Sequence, residues 1–440
     1  MMDRSHILAL APDDASAKAG AELAQARRWV SRHSHPKALW GECQGSGKTP
    51  YLTYVDLGNT AFKCSCPSRK FPCKHGLGLL LLFAEKKNEF VEKSSLPPEI
   101  EAWIEKRAAT TEKKEQKETK AAPKAGDEAA RLKRIEAREK KIRAGIEELR
   151  SWIQDVARTG IMNVPQNPYH FSSHIAARMV DAQAAGLSYQ LRKIETIPFY
   201  QEGWQKSLIR LLSKIYLMTE AYTYKNTLGD LLREELDTLI GWTKSKEDIL
   251  AQEGIADQWQ ILSRQVENED NLITERVWLY GSASEKHALL LNFYAGNQVP
   301  EAFFLPGRSV YAELVFYPAA IPQRALVKKQ GVSQPPDLPQ QGISRTGELL
   351  NQVADVLAAS PFCEKIPFVL SGFRIVMDGT RAFFLCDEEA IALPLANTEE
   401  SCWQMLALSK GLTFNCFATY ENQQLRIHSL WKEQHFFAGL

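Results

Sequence analysis

Residues 64–75 read CSCPSRKFPCKH and hold the side chains best suited to chemistry in this chain. Cys64 and Cys66 form one C-x-C pair, and Cys73 and His75 form a C-x-H pair six residues on. Thiolate sulfur and imidazole nitrogen are the usual ligands of tetrahedral zinc. Side chains two apart on an extended segment point the same way, so each pair can grip an ion from one side. Pro67 and Pro72 stiffen the loop between the pairs. Four protein ligands fill a tetrahedral shell and leave no position for water, so the spacing predicts one structural Zn2+ rather than a catalytic one. The C-x-x-C spacing of redox sites is absent.

Few other groups compete for a chemical role. GSGKTP at 45–50 suggests a phosphate loop, but that motif needs a glycine at position 42, where Glu42 stands. The segment also leads into a β pattern, so it reads as a hairpin turn. His170 and His174 lie four apart, yet no glutamate follows the first, so the H-E-x-x-H motif is missing. Asn167 and Pro168 put His170 in a loop, with Ser172 or Ser173 capping the helix that follows. The remaining cysteines, Cys43, Cys363, Cys386, Cys402 and Cys416, are scattered and read as reduced core residues. We find no nucleophile elbow, no dinucleotide fingerprint and no paired-aspartate motif, and expect no enzymatic activity.

Positioning the two ligand pairs falls to the flanking elements. Residues 13–31 read as a helix capped by Asp13, Asp14 or Ser16, with Leu23, Ala26 and Val30 on one face. Residues 38–63 are β-like, with Trp40, Tyr51, Tyr54, Val55 and Phe62 as strand formers and turns at GSGK (45–48) and GN (58–59). Behind the cluster, residues 76–92 form a helix that is apolar almost all round, which marks a buried helix.

A cluster of this pattern, preceded by hairpin material and followed by a helix, resembles the SWIM zinc-finger family over roughly residues 38–84. The resemblance implies that Cys64, Cys66, Cys73 and His75 are its zinc ligands and that the module recognises DNA or protein. The stretches SHIAARMVDAQAAGL, WLYGSASEKHALLLNFY and AELVFYP resemble segments of bacterial SWIM-domain proteins. Such proteins tend to be encoded beside MoxR-type AAA ATPases and von Willebrand A-domain proteins, so the resemblance implies a protein partner of that kind.

The loop held by the zinc is the expected contact surface. Arg69, Lys70 and Lys74 lie on it with Phe71 between them, and residues 61–93 carry seven basic against three acidic side chains. Cations beside an aromatic could touch phosphates and stack a base. The whole chain, however, has 54 basic and 53 acidic residues and no global field to draw it to nucleic acid. An adaptor for protein partners is therefore the first reading and a nucleic-acid binder the second.

The rest of the 440 residues divide by pattern. We place the N-terminal region with its zinc module at 1–104. Residues 105–127 are charged and poor in large apolar side chains, the composition of a flexible linker. Residues 128–268 read as a helical domain. Its first helix, 128–158, carries Leu132, Ile135, Ile142, Ile146, Leu149, Ile153 and Val156 as a seam interrupted by Glu139. That seam most simply packs on later helices at 173–185, 203–223 and 226–242, with an intermolecular coiled coil as the alternative. After about residue 270 the period becomes two, so 269–440 reads as a β-rich α+β region. The fold class is thus α+β: a hairpin-plus-helix zinc module, a helical middle and a β-rich end. No run of about 18 apolar residues predicts a membrane span and no secretory signal opens the chain, so we expect a cytoplasmic protein.

Overall fold

The computed structural model describes the chain except residues 1–3, 9, 13, 46–48, 59–60, 69, 105–124, 270–271, 296–303, 336–337, 433–434 and 440. The expected linker, the Asp13 cap, most of the GSGK turn and Arg69 lie wholly or mainly outside the described residues. Residues 125–127 of the expected linker are helical.

The N-terminal part is a five-stranded sheet with helices on it. Helices α1 (Arg4–Leu8) and α2 (Asp14–Leu23) precede strands β1 (Trp29–His35), β2 (Ala38–Cys43), β3 (Tyr51–Asp56) and β4 (Ala61–Cys64). Helix α3 (Lys74–Glu85) follows, then the short β5 (Val91–Glu92), giving the order β4-β3-β2-β1-β5. The expected helix over 13–31 is therefore too long: it ends at Leu23, and Trp29 opens a strand. Val30 is 61% exposed on that strand and shares no buried face with Leu23. Pairing with β2, in the register His33↔Trp40, overrides the helical spacing. Helix α3 likewise stops at Glu85 instead of running to 92. Cys43 at the end of β2 pairs antiparallel with Tyr51 at the start of β3.

Helix α3 is the core of this part. Leu77, Leu79, Leu80, Leu81 and Leu82 are all buried, and burial of each contributes about 1.5–3 kcal/mol. One side meets α2 with two glycines in the contact. A Cβ at Gly20 would sit 2.8 Å from Leu77 Cβ, and one at Gly78 would sit 2.7 Å from Leu23 Cβ. The other side packs on the sheet through Leu39, Val55 and Phe62.

The middle is a helical bundle of α4 (Ala125–Thr159), α5 (Pro168–Asp181), α6 (Ala185–Arg192), α7 (Trp204–Thr223) and α8 (Asp230–Ile240), followed by the short α9 (Lys246–Leu250). The seam of α4 packs as the sequence predicts: Ile142, Ile146, Leu149, Ile153 and Val156 share one core with Met179, Leu208, Leu212 and Ile215. Leu132 and Ile135, at 53% and 37% exposed, stand outside that core. Helix α5 begins at Pro168, so His170 lies inside it. The cap is Asn167, whose Oδ1 accepts from the His170 N–H at 3.0 Å, and not Ser172 or Ser173.

The sheet-forming part starts earlier than the sequence suggests. Strand β6 (Ile255–Glu269) occupies residues that we assigned to the helical region. In IADQWQI the inward register is 255, 257, 259 and 261: Trp259 and Ile261 enter a barrel core with Ile255 packed against it, and the charged Asp257 in that register hides the period. Strands β7 (Leu272–Gly281), β8 (His287–Ala295), β9 (Ser309–Phe316) and β10 (Arg324–Gln334) complete a closed barrel in the order β10-β8-β7-β6-β9. Strand β10 runs between Pro322 and Pro335. A six-stranded sheet follows: β11 (Ile366–Met377), β12 (Phe383–Cys386), β13 (Ala392–Pro394), β14 (Phe414–Glu421), β15 (Gln424–Lys432) and β16 (His435–Ala438). Its order is β13-β12-β11-β14-β15-β16. Helices α10 (Thr346–Ala359) and α11 (Glu399–Ser409) pack on it through Leu349, Val353, Cys402 and Met405.

Bundle and sheet meet at the turn before β11. Glu364 accepts from Lys193 at 2.8 Å and from Lys214 at 2.8 Å, and the Gln190 amide donates to it at 3.1 Å. Phe362 enters the bundle core beside this ion cluster.

Candidate metal centre

The hairpin β3–β4 delivers the first ligand pair. Cys64 ends β4 opposite Thr53. The Ser65 N–H donates to Leu52 O at 2.9 Å, and the Leu52 N–H donates to Ser65 Oγ at 2.9 Å. These two bonds extend the hairpin by one residue, so Cys66 falls on the same side as Cys64. The second pair belongs to α3. Cys73 is its N-cap, with φ −74° and ψ 163°, and His75 lies in the first turn. Leu77 N–H donates to Cys73 O at 3.1 Å, which locks the turn.

The four ligand atoms lie within 4.8 Å of one another. Cys64 Sγ is 3.8 Å and Cys73 Sγ 4.0 Å from His75 Nδ1. A tetrahedral zinc with ordinary Zn–S and Zn–N bonds places its ligand atoms about 3.6–3.8 Å apart. The chemistry of the donor set agrees with the geometry. Hydrogen bonding from Cys64 and Cys73 holds the Cys66 thiol far below the ordinary thiol range. The same sulfurs, Cys64 and then Cys66, push Cys73 upward, and its burial adds to this. Burial opposes charge on His75, but the sulfurs of Cys64 and Cys66 outweigh it and raise the imidazole to about 9. Crowded thiols compete for one charge; a divalent cation among them lets all three ionise. Cys64, Cys66, Cys73 and His75 thus form a zinc site, and among the described residues no second cluster of His, Cys, Asp or Glu is comparable. His170 and His174 belong to no such group.

Two neighbours escaped the sequence reading. Thr53 Oγ1 is 3.2 Å from Cys64 Sγ and fully buried. The ring of Tyr51 lies 5.0 Å from that of His75. Both orient ligands from outside the metal shell. Backbone N–H groups of Ser68 and Gly76 reach Cys66 and Cys73 and favour their ionised forms. Strand register alone could have found Thr53: a hairpin turning at 57–60 pairs 53 with 64.

The loop residues divide. Lys70 and Lys74 are exposed, as is Lys63 on β4. Phe71 is half-buried and packs edge-on against Phe62 at 6.3 Å. Its ring belongs to the core under the loop. Cys43 is buried outside the cluster and its thiol is pushed up to about 11 by that burial, so it behaves as a core residue.

Comparison with known families agrees with this geometry. Residues 51–83 match the SWIM zinc finger, and residues 137–240 match the SWIM-associated four-helix bundle domain. The chain thus carries a SWIM zinc finger, which is a zinc-binding domain, and a SWIM-associated four-helix bundle domain. No curated protein and no solved structure matches it. No described helix is long and apolar enough to cross a membrane.

Proposed function

We propose that the chain is a non-enzymatic zinc-binding adaptor whose SWIM module presents a protein-docking surface. The observation that carries this reading is the closed ligand set. Three sulfurs and one imidazole converge within 4.8 Å, so zinc here would fix a loop and leave no coordination position for a substrate. The metal fastens the end of a hairpin to the start of a buried helix, and the loop between them is displayed on that rigid base. A balanced charge, 54 basic against 53 acidic residues, suits a protein partner better than a polyanion. By family resemblance, a MoxR-type AAA ATPase or a von Willebrand A-domain protein is the partner to try first.

The test is capture of complexes from the source cell by wild-type protein and by Cys73→Ser. The adaptor reading expects a defined partner that is lost with the zinc. Equal capture by both proteins would place the contact elsewhere and refute the reading.

A second reading rests on exposed Lys63, Lys70 and Lys74 around the loop. These cations could contact phosphates. The inward packing of Phe71 removes the stacking partner that a single strand would use. A steep loss of oligonucleotide affinity with salt, flattened in Lys70→Ala/Lys74→Ala, would favour it. Undetectable binding at low salt would end it.

A further inference from the structure

The barrel lies outside both matched segments. Its first strand, β6, pairs with the second, β7, and β7 with the third, β8. The third runs parallel to the fifth, β10, in the register Leu289↔Arg324. The fifth pairs with the fourth, β9, which returns to the first in the register Leu314↔Ile255. This is the connectivity of the five-stranded oligonucleotide- and oligosaccharide-binding barrel, whose ligands lie on the outer face of the second and third strands.

Alternation identifies that face. Val277, Leu279, Ala288 and Leu290 fill the barrel core. Trp278 and Tyr280 on β7, with His287, Leu289 and Phe293 on β8, therefore face outward. Four rings on two adjacent strands make a stacking platform. Most of it is already covered. Phe417 of β14 lies 5.8 Å from Trp278 and stacks on His287 at 6.1 Å. On its other side Phe417 lies 5.5 Å from His428 of β15, and His428 Nδ1 is 3.0 Å from Gln265 Nε2 of the barrel. Trp278, Leu262, Phe417, Trp431 and Phe436 share one cluster, with Phe417 and Trp431 fully buried. Charge also argues against a polyanion. Residues 255–334 carry seven basic and eight acidic side chains. Arg276, the cation on β7, is bound by Glu267 at 2.6 Å.

We infer that the C-terminal sheet is the resident occupant of the barrel's ligand face, and that single-stranded nucleic acid is excluded from that face. Trp278, Tyr280 and His287 serve as a docking surface for Phe417, His428 and Trp431 of the same chain, and barrel and sheet open together. This inference is independent of what the zinc module binds.

Two measurements on the full chain test it. In hydrogen exchange, Trp431→Phe should speed the amides of β7 and β8 severalfold together with those of β14 and β15. Gln265→Ala, which removes a seam hydrogen bond from the barrel side, should do the same if Trp431→Phe fails to fold. In ultraviolet cross-linking with oligo(dT) and oligo(U) at low salt, no adduct should form at Trp278, Tyr280 or His287. Faster exchange in β14 and β15 with β7 and β8 unchanged would overturn the inference. So would a native-protein adduct at Trp278, Tyr280 or His287.

Discussion

Cys73→Ser separates the metal from the helix that carries it. Cys73 is both a zinc ligand and the N-cap of α3. Serine is among the best N-cap residues, so the helix start keeps a partner for its free N–H groups. What is lost is one thiolate from the metal shell. Structural zinc in small modules binds with about 10–16 kcal/mol, so one of four ligands accounts for about 3 kcal/mol. At about 1.4 kcal/mol per decade, zinc affinity should fall by about a hundredfold. Competition against a chromophoric chelator measures this directly, and elemental analysis of purified wild type should find one zinc per chain. Cys43→Ser is the control. Cys43 is a fully buried neighbour outside the ligand set, so this change should cost stability without releasing metal. Stoichiometric zinc with undiminished affinity in Cys73→Ser would refute the four-ligand assignment.

Three further outcomes follow from particular contacts. Thr53→Val keeps the shape of a fully buried side chain but removes the oxygen 3.2 Å from Cys64 Sγ; zinc affinity should drop about tenfold in the chelator competition, as for other outer-shell partners. Gly76→Ala places a Cβ 2.7 Å from Phe62 Cδ1; the displaced ring should cost about 1–3 kcal/mol in urea unfolding, with the zinc ligands intact. Burial lowers His287 to about 4 and His428 to about 3, below the ordinary histidine value near 6.5. Between those values the unfolded chain binds more protons, so the histidine contribution is intact above about pH 6.5 and declines as pH falls toward 4. Around His428 stand Lys365, Arg426 and Glu421 together with Thr419 and Gln265, while Tyr280 and Phe417 enclose His287. Tryptophan fluorescence during acid titration should report loosening at Trp278 and Trp431 in that window, and a flat stability curve from pH 7 to 4 would contradict it.

The metal centre was legible in the sequence because its ligands are local. Two short-range pairs within twelve residues, with prolines between them, constrain the geometry before any long-range contact forms. The apolar helix behind the cluster and the seam of α4 were legible for a similar reason, since a helix writes its burial into spacings of three and four. Strand β6 was not, because Asp257 stands in its otherwise apolar inward register. Asp257 accepts from the N–H groups of Ala283 and Ser284 in a turn more than twenty residues along the chain, as well as from that of its neighbour Gln258. Strand β1 was hidden by a helical spacing that pairing with β2 overrode.

Phe71 marks the limit most clearly. By sequence it is an aromatic between cations on a surface loop; in the fold it faces Phe62 and belongs to the core. The sequence by itself determined which four residues bind zinc, that their shell is closed, and that a helical region separates two β-containing regions. Tertiary structure alone decided that the five strands from β6 to β10 close into a barrel, and that Phe417 and Trp431 cover its outer face. The physical reason is range. Ligand spacing and helical period are set within a few residues, whereas barrel closure joins Ile255 to Leu314 and packing of the sheet on the barrel joins Trp278 to Phe417, where no local pattern records the partner.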